Sequence, residues 1–265
     1  MSATSGQLER GDTAIHWWLE GSDGNAPLIV FTHGGAMDHR MWDAQVAAFK
    51  GEYRVLTYDV RGHGASKCPA ETMSLESCRD DLLALMDQAG AERAVLVGHS
   101  VGATISQLAA VKSPQRVTAL IGIGAVCATI APPFAAKLRQ AINPIALKLL
   151  GQQKLRQMFA EMAGVTPEVQ AYARDAITAL TDGAFESVMR TGFGAGYAAD
   201  PSYKLNAPLL LLRGDHEPYT AFMGAARQWL ERDAATEIVV PNAAHNANQD
   251  APDFVNERIR EFLAL

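Results

Sequence analysis

Ala94-Val95-Leu96-Val97-Gly98-His99-Ser100-Val101-Gly102 runs four apolar residues straight into the pattern G-x-S-x-G, and a helical pattern over residues 101–112 follows at once. Strand, tight turn and helix therefore succeed one another with nothing between them. Such a turn is strained, and the strain lifts the serine hydroxyl out of the sheet edge. A glycine on either flank lets neighbouring backbone approach where a side chain would collide. Ser100 is the candidate nucleophile.

Outward from this turn, short apolar runs recur at residues 14–19, 28–32, 54–59, 94–98, 117–123, 208–213 and 237–240. Several are continuously apolar, as strands buried on both faces of a parallel sheet must be. Helical spacing fills the intervals at 42–50, 74–90, 101–112 and 221–232, and 253–263 closes the chain. This alternation predicts an α/β fold with a doubly wound, mostly parallel sheet and right-handed crossovers. The rhythm breaks between about 125 and 206, where Ala, Leu, Gln and Met dominate and strand-like runs vanish. Residues 1–124 and 205–265 are expected to form one core, and 125–204 a helical cap inserted into it. Candidate cap helices are 134–142, 145–163, 167–180 and 183–191, ended by the Gly192, Gly194, Gly196 run.

With 265 residues, 48% hydrophobic and 20% charged, the chain has ordinary globular composition, which excludes disordered, collagen-like and low-complexity classes. A net charge of −6 leaves no basic excess for nucleic acid or for an anionic membrane surface. The expected partner is a small molecule, and a homodimer is compatible with this reading. The uncharged stretch 117–136 contains Gly122, Gly124, Pro132 and Pro133, which suits a buried strand and loop rather than a membrane span. Cys68, Cys78 and Cys127 make an odd number with no metal-type spacing, and the first residues lack the cationic and apolar regions of a secretory signal. A cytoplasmic setting is the expectation. No H-E-x-x-H or C-x-x-C suggests a metal, and Gly122-x-Gly124 lacks the third glycine of a dinucleotide fingerprint, so neither metal nor cofactor is expected.

A serine hydroxyl needs a base within hydrogen-bond reach, and the base needs an orienting acid. Of seven histidines, His245 follows the last strand, where a loop side chain leans over the carboxyl edge of the sheet. His99 points away from Ser100 in a tight turn and His16 lies on an early strand, so both read as packing or surface residues. The acid belongs after the 208–213 strand, in Gly214-Asp215-His216-Glu217. Chain order does not choose between Asp215 and Glu217.

Together, His33-Gly34-Gly35, Asp59-x-Arg61-Gly62-His63-Gly64-x-Ser66, Gly98-x-Ser100-x-Gly102, Gly214-x-x-Glu217 and His245 resemble the α/β-hydrolase superfamily, in its capped serine esterase and lactonase (enol-lactonase-like) branch. The resemblance implies that the acid stands third after the glycine, at Glu217 rather than Asp215. Glutamate here replaces the more usual aspartate, and its extra methylene asks the loop to sit slightly further from His245. It also implies an oxyanion hole from the amides of Gly35 and Val101, with Ala36 taking over if the loop register differs. The Asp59–Ser66 segment is implied to be structural. Dehalogenases and epoxide hydrolases of this fold carry an aspartate at the elbow, so Ser100 argues against both.

The implied activity is hydrolysis of a small, mainly apolar carboxylic ester or lactone through an acyl-enzyme on Ser100. The alternatives are cleavage of a β-diketone-type carbon–carbon bond, cofactor-free perhydrolysis with the same triad, or a ligand receptor without turnover. Trp42, Phe134, Met158 and Met162 are candidate substrate contacts, and Arg40 is a cation to test for carboxylate recognition.

Overall fold

The computed structural model describes residues 2–22, 26–130, 151–193, 202–217, 229–233 and 235–264. Eight strands form one sheet: β1 (Ser2–Arg10), β2 (Thr13–Gly21), β3 (Leu28–Thr32), β4 (Arg54–Tyr58), β5 (Ala94–His99), β6 (Val117–Ile123), β7 (Leu209–Gly214) and β8 (Thr236–Val240). Their order is β1-β2-β4-β3-β5-β6-β7-β8. Only β2 runs against its neighbours, pairing antiparallel with β1 and β4, and the rest of the sheet is parallel. The expected α/β class and mostly parallel sheet are what the chain adopts.

β1 was outside the sequence expectation, because Ser2–Arg10 is mostly polar and lacks an apolar run. It holds its place as the sheet edge through a two-residue hairpin at Gly11, where φ is 71° and glycine carries no steric penalty. Polar character on an edge strand also discourages pairing with another chain.

The longer helices are α1 (Asp43–Phe49), α2 (Leu75–Gln88), α3 (Val101–Lys112), α4 (Gln152–Ala163), α5 (Pro167–Thr178), α6 (Asp182–Phe193) and α7 (Pro252–Leu263), with a single turn at Ala247–Asp250 before the last. Ser74 caps α2 by accepting from the Ser77 amide, Thr166 caps α5 by accepting from Val169, and both α5 and α7 open with proline at the first turn. The expected helix 134–142 and residues 145–150 of the next lie outside the described residues, as do 221–228 of the expected 221–232 helix; residues 229–233 are helical.

Strand alternation sends Ile29, Phe31, Val55, Val95 and Val97 to one face of the sheet, and Leu28, Val30, Leu56 and Leu96 to the other. The second face packs on α2 and α3. The first packs on α1 and α7, and joins Leu155, Ile177, Phe185 and Val188 from α4, α5 and α6 in the same cluster. Each such side chain removed from water contributes about 1.5–3 kcal/mol. None of the described helices is long and apolar enough to cross a membrane.

Candidate active site

The chain leaves β3 toward β4 on one side and β5 toward β6 on the other, so the loops after β3 and β5 diverge around a crevice at the carboxyl edge. Ser100 stands there with φ 51° and ψ −118°, a conformation that costs a non-glycine residue about 1–3 kcal/mol. Its amide donates to Ile123 O at 2.8 Å, and its carbonyl accepts from Ala103 at 3.0 Å. The flanking glycines answer to close backbone. A β-carbon on Gly98 would lie 2.4 Å from Ala103 N, and one on Gly102 would lie 2.2 Å from Thr32 O.

The loop His33-Gly34-Gly35 comes down onto this turn. A β-carbon on Gly34 would approach Ser100 Cβ to 3.4 Å, and one on Gly35 would meet Val101 Cγ1 at 3.7 Å. Gly35 and Val101, the expected pair of amides, are thus neighbours. Val101 opens α3, whose first amides have no partner within the helix. Ala36 has φ 61° and is buried. His33 fixes the loop, its Nδ1 donating to Gly34 O at 2.8 Å while Nε2 accepts from Val60 at 2.9 Å. Burial lowers the His33 pKa despite the opposing charge of Asp59, which matches a neutral ring bonded in this way.

His245 Nδ1 meets Glu217 Oε1 at 2.7 Å. The other Glu217 oxygen is buried without a partner among the described residues. Asp215 is committed elsewhere: its carboxylate accepts from the Asn242 amide at 3.0 Å, the Ala243 amide at 3.1 Å and His216 Nδ1 at 2.6 Å. Those backbone bonds, with His216, hold its pKa down at about 2. The His245 ring sits beside Gly124, where a β-carbon would come within 2.9 Å of it, and edge-on to the His99 ring at 4.6 Å. Gly124 follows the residue that binds the Ser100 amide, and His99 precedes Ser100, so the imidazole packs against residues adjoining the elbow. The described residues contain no hydrogen bond between the Ser100 hydroxyl and His245.

Residues 27–252 match the model of the alpha/beta hydrolase fold family. This chain is an α/β hydrolase. The hydrolase is 27% identical to epoxide hydrolase 3 of Xenopus tropicalis, over 97% of this chain and 77% of that one. To 3-oxoadipate enol-lactonase 2 of Acinetobacter baylyi it is 24% identical, with 97% and 95% covered. The solved enol-lactonase from Burkholderia xenovorans LB400 superposes with a TM-score of 0.81 at 26% identity, covering 98% of this chain and all of that one.

Around the hydrolase's site, the polar groups of the Asp59–Ser66 segment are taken up by scaffold contacts. Asp59 accepts from the His39 amide and ring and from the Ala65 amide, Ser66 Oγ accepts from His16, and Arg61 makes a paired contact with Asp81 at 2.7 and 2.8 Å. Burial works to raise the Asp59 pKa, but the His39 bond and the amides bring it to about 2.

The candidate substrate contacts scatter. Trp42 is wholly buried against Phe31, with ring centroids 5.0 Å apart, so it anchors the 3-10 turn His39–Trp42 instead of presenting a free wall. Met162 lines an open groove with Val165, His216 and Ala244, on the outer flank of the His245 loop. Met158 is exposed on α4, and Phe134 lies outside the described residues. Arg40 is not a free cation: it binds Asp38 bidentately and reaches Asp175 at 2.9 Å.

One neighbour of the site, Val188, escaped the sequence reading, and another, His99, expected to be a packing or surface residue, is buried. Val188 of α6 lies over the loop, 3.3 Å from where a Gly35 β-carbon would stand. Its spacing three after Phe185 on an apolar helix face was the available signal. His99 Nε2 donates to His245 O at 2.9 Å, and its buried Nδ1 has no partner among the described residues. Burial, with the neighbouring His245, drives its pKa well down, so the ring is neutral.

Proposed function

We propose that this α/β hydrolase cleaves small, mainly apolar carboxylic esters or lactones, with Ser100 as nucleophile, His245 as base and Glu217 as the orienting acid. The observation that carries the reading is the 2.7 Å bond from His245 Nδ1 to Glu217, beside a serine held in a strained elbow. Glu217 fixes the tautomer with hydrogen on Nδ1, which leaves the Nε2 lone pair free to take the Ser100 proton. Oγ then attacks the carbonyl carbon, and the oxyanion forms against the N–H groups of Gly35 and Val101. His245 returns the proton to the departing alkoxide, an acyl-enzyme remains, and water activated by the same imidazole releases the acid.

Each oxyanion donor is worth roughly a hundred- to a thousandfold in rate. The serine–imidazole bond closes as substrate enters, as apo sites of this kind commonly require. Serine at the elbow favours acyl chemistry over the epoxide opening for which several relatives are named. Among the described contacts, Asp38 and Asp175 engage Arg40, the cation of the oxyanion loop, and so favour an uncharged acyl group. Residues 125–204 serve as the cap over this site. The unpaired thiols of Cys68, Cys78 and Cys127 support a reducing, cytoplasmic setting.

A fluorophosphonate probe is expected to modify Ser100, located by mass spectrometry, and short p-nitrophenyl esters and simple lactones are expected to turn over. Ser100→Ala should lower kcat by about a million-fold with the fold intact. Label on another residue, or turnover within a hundredfold of wild type in that variant, would sink the proposal.

A further inference from the structure

Two loops must keep a fixed spacing for the chemistry above: the one that carries Gly35 and the one that carries His245. One is bonded to α5 itself and the other to the turn that opens it. At one end, the Tyr172 hydroxyl of α5 accepts from the Asp38 amide at 3.2 Å and lies 3.1 Å from the Asp38 carbonyl, to which it donates. Asp38 closely follows Gly35, in a turn closed by Met37 N to Gly34 O at 3.2 Å. One turn along α5, Asp175 takes Arg40, whose guanidinium also covers the Tyr172 ring at 5.6 Å.

At the other end, the Asp250 carboxylate accepts from the amides of Val165 and Thr166 and from the Thr166 hydroxyl, and also from the Ala244 amide at 2.9 Å. The Asn246 amide donates to Ala163 O, the last residue of α4, at 2.7 Å. His245 is therefore gripped on both sides by the α4–α5 turn. Gly164 is required in that turn, since a β-carbon would lie 2.9 Å from Asp250 Oδ1.

We infer that α5 is a strut that sets the spacing between the oxyanion loop and the His245 loop, with Tyr172 and Asp250 as positioning residues at its two joints. From Thr166 to Tyr172 the helix rises roughly 9 Å, a length that does not flex. Burial, then the Asp38 charge, keeps Tyr172 protonated and so able to donate. The floor of the two loops is joined separately by the buried Gln45, Asn248 and Asn256 amides. The strut joins them from the inserted segment, where a substrate's acyl group would press. A displacement of about 1 Å at such a site can cost a hundredfold in rate.

This inference rests on the Ser100–His245–Glu217 reading, and its test separates the two. Competent sites are counted by fluorophosphonate titration of the full chain, and kcat and KM for p-nitrophenyl butyrate are then expressed per titrated site. Tyr172→Phe and Asp250→Asn are each expected to lower per-site kcat about tenfold with KM within about twofold, the size of a modest misplacement. The double variant should fall about ten- to twentyfold, because either change frees the same strut. If Asp250→Asn titrates no sites, Thr166→Val reads the same joint.

Arg156→Gln releases the far end of the hairpin, where Arg156 holds Ile177 O in the last turn of α5, Thr181 O and Asp182, and should lower Tm while leaving per-site kcat within about twofold. Unchanged kcat in both single variants, a double variant at the product of the singles, or an equal loss in Arg156→Gln would overturn the strut. Wild type that takes no label at Ser100 would overturn the chemistry and this inference with it.

Discussion

Glu217 and Asp215 share one turn after β7 and end in different networks. The Glu217 carboxylate meets His245, while Asp215 closes the turn at Asn242 and Ala243. Asn242 needs that closure, since it sits at φ 54° where few residues rest comfortably. Glu217→Gln should lower kcat about a hundred- to ten-thousand-fold at nearly constant Tm, because an amide no longer holds the imidazole in its working tautomer. Asp215→Asn should leave kcat within about tenfold and act on Tm instead, since it touches only the turn. Steady-state kinetics and melting of the two variants check the split. Chain order left both acids open; the spacing of the family motif pointed to Glu217, and of the two carboxylates it is Glu217 that meets His245.

Among elements, the segment after β4 gathers an acid, a cation and an imidazole yet performs as a structural clasp. Arg61 and Arg10 both converge on Asp81 of α2, so the β4 loop, the β1 edge and a helix meet in one buried cluster. Asp81 is 1% exposed and Arg61 6%. Asp81→Ala would strand the buried Arg61 charge and should cost about 3–5 kcal/mol in urea denaturation, while the per-site rate of the folded fraction holds. Equal losses of stability and per-site rate would give the clasp a role in the chemistry. The inner parallel strands were legible because both faces are buried and their apolar runs are continuous, and β3 and β6 match the expectation residue for residue. β1 was not, since an edge strand draws its stability from its partner's hydrogen bonds and packing rather than from its own side chains.

Across the whole molecule, three imidazoles are buried in the neutral form behind the site: His33, His63 and His99. Burial, then His33, brings His63 down to about 3, and the other two are lowered by burial as well. Unfolding frees each ring to protonate near its ordinary pKa of about 6.5, so below that pH the unfolded chain binds more protons than the native one. Stability should therefore fall as pH drops from about 6.5, and for His63 the loss continues to about pH 3. The slope is at most about 1.4 kcal/mol per pH unit for each ring. Asp59, with its pKa at about 2, adds a further loss below about pH 4. Urea midpoints between pH 7 and 5 check this; a flat profile would mean that the rings protonate in place.

Residues close in the chain carried the fold class, the elbow and the oxyanion loop, because apolar periodicity and glycine placement are local consequences of strand, helix and turn geometry. Contacts between distant residues settled the rest. Glu217 reaches His245 across 28 positions, Asp250 holds Val165 across 85, and Tyr172 holds Asp38 across 134. No local pattern encodes such pairings: each hydrogen bond forms only once the sheet and the inserted helices have packed and brought its donor and acceptor to the same edge. The burial of Trp42 against Phe31 and the reach of Arg40 to Asp175 belong to that second group, since each partner comes from another part of the chain.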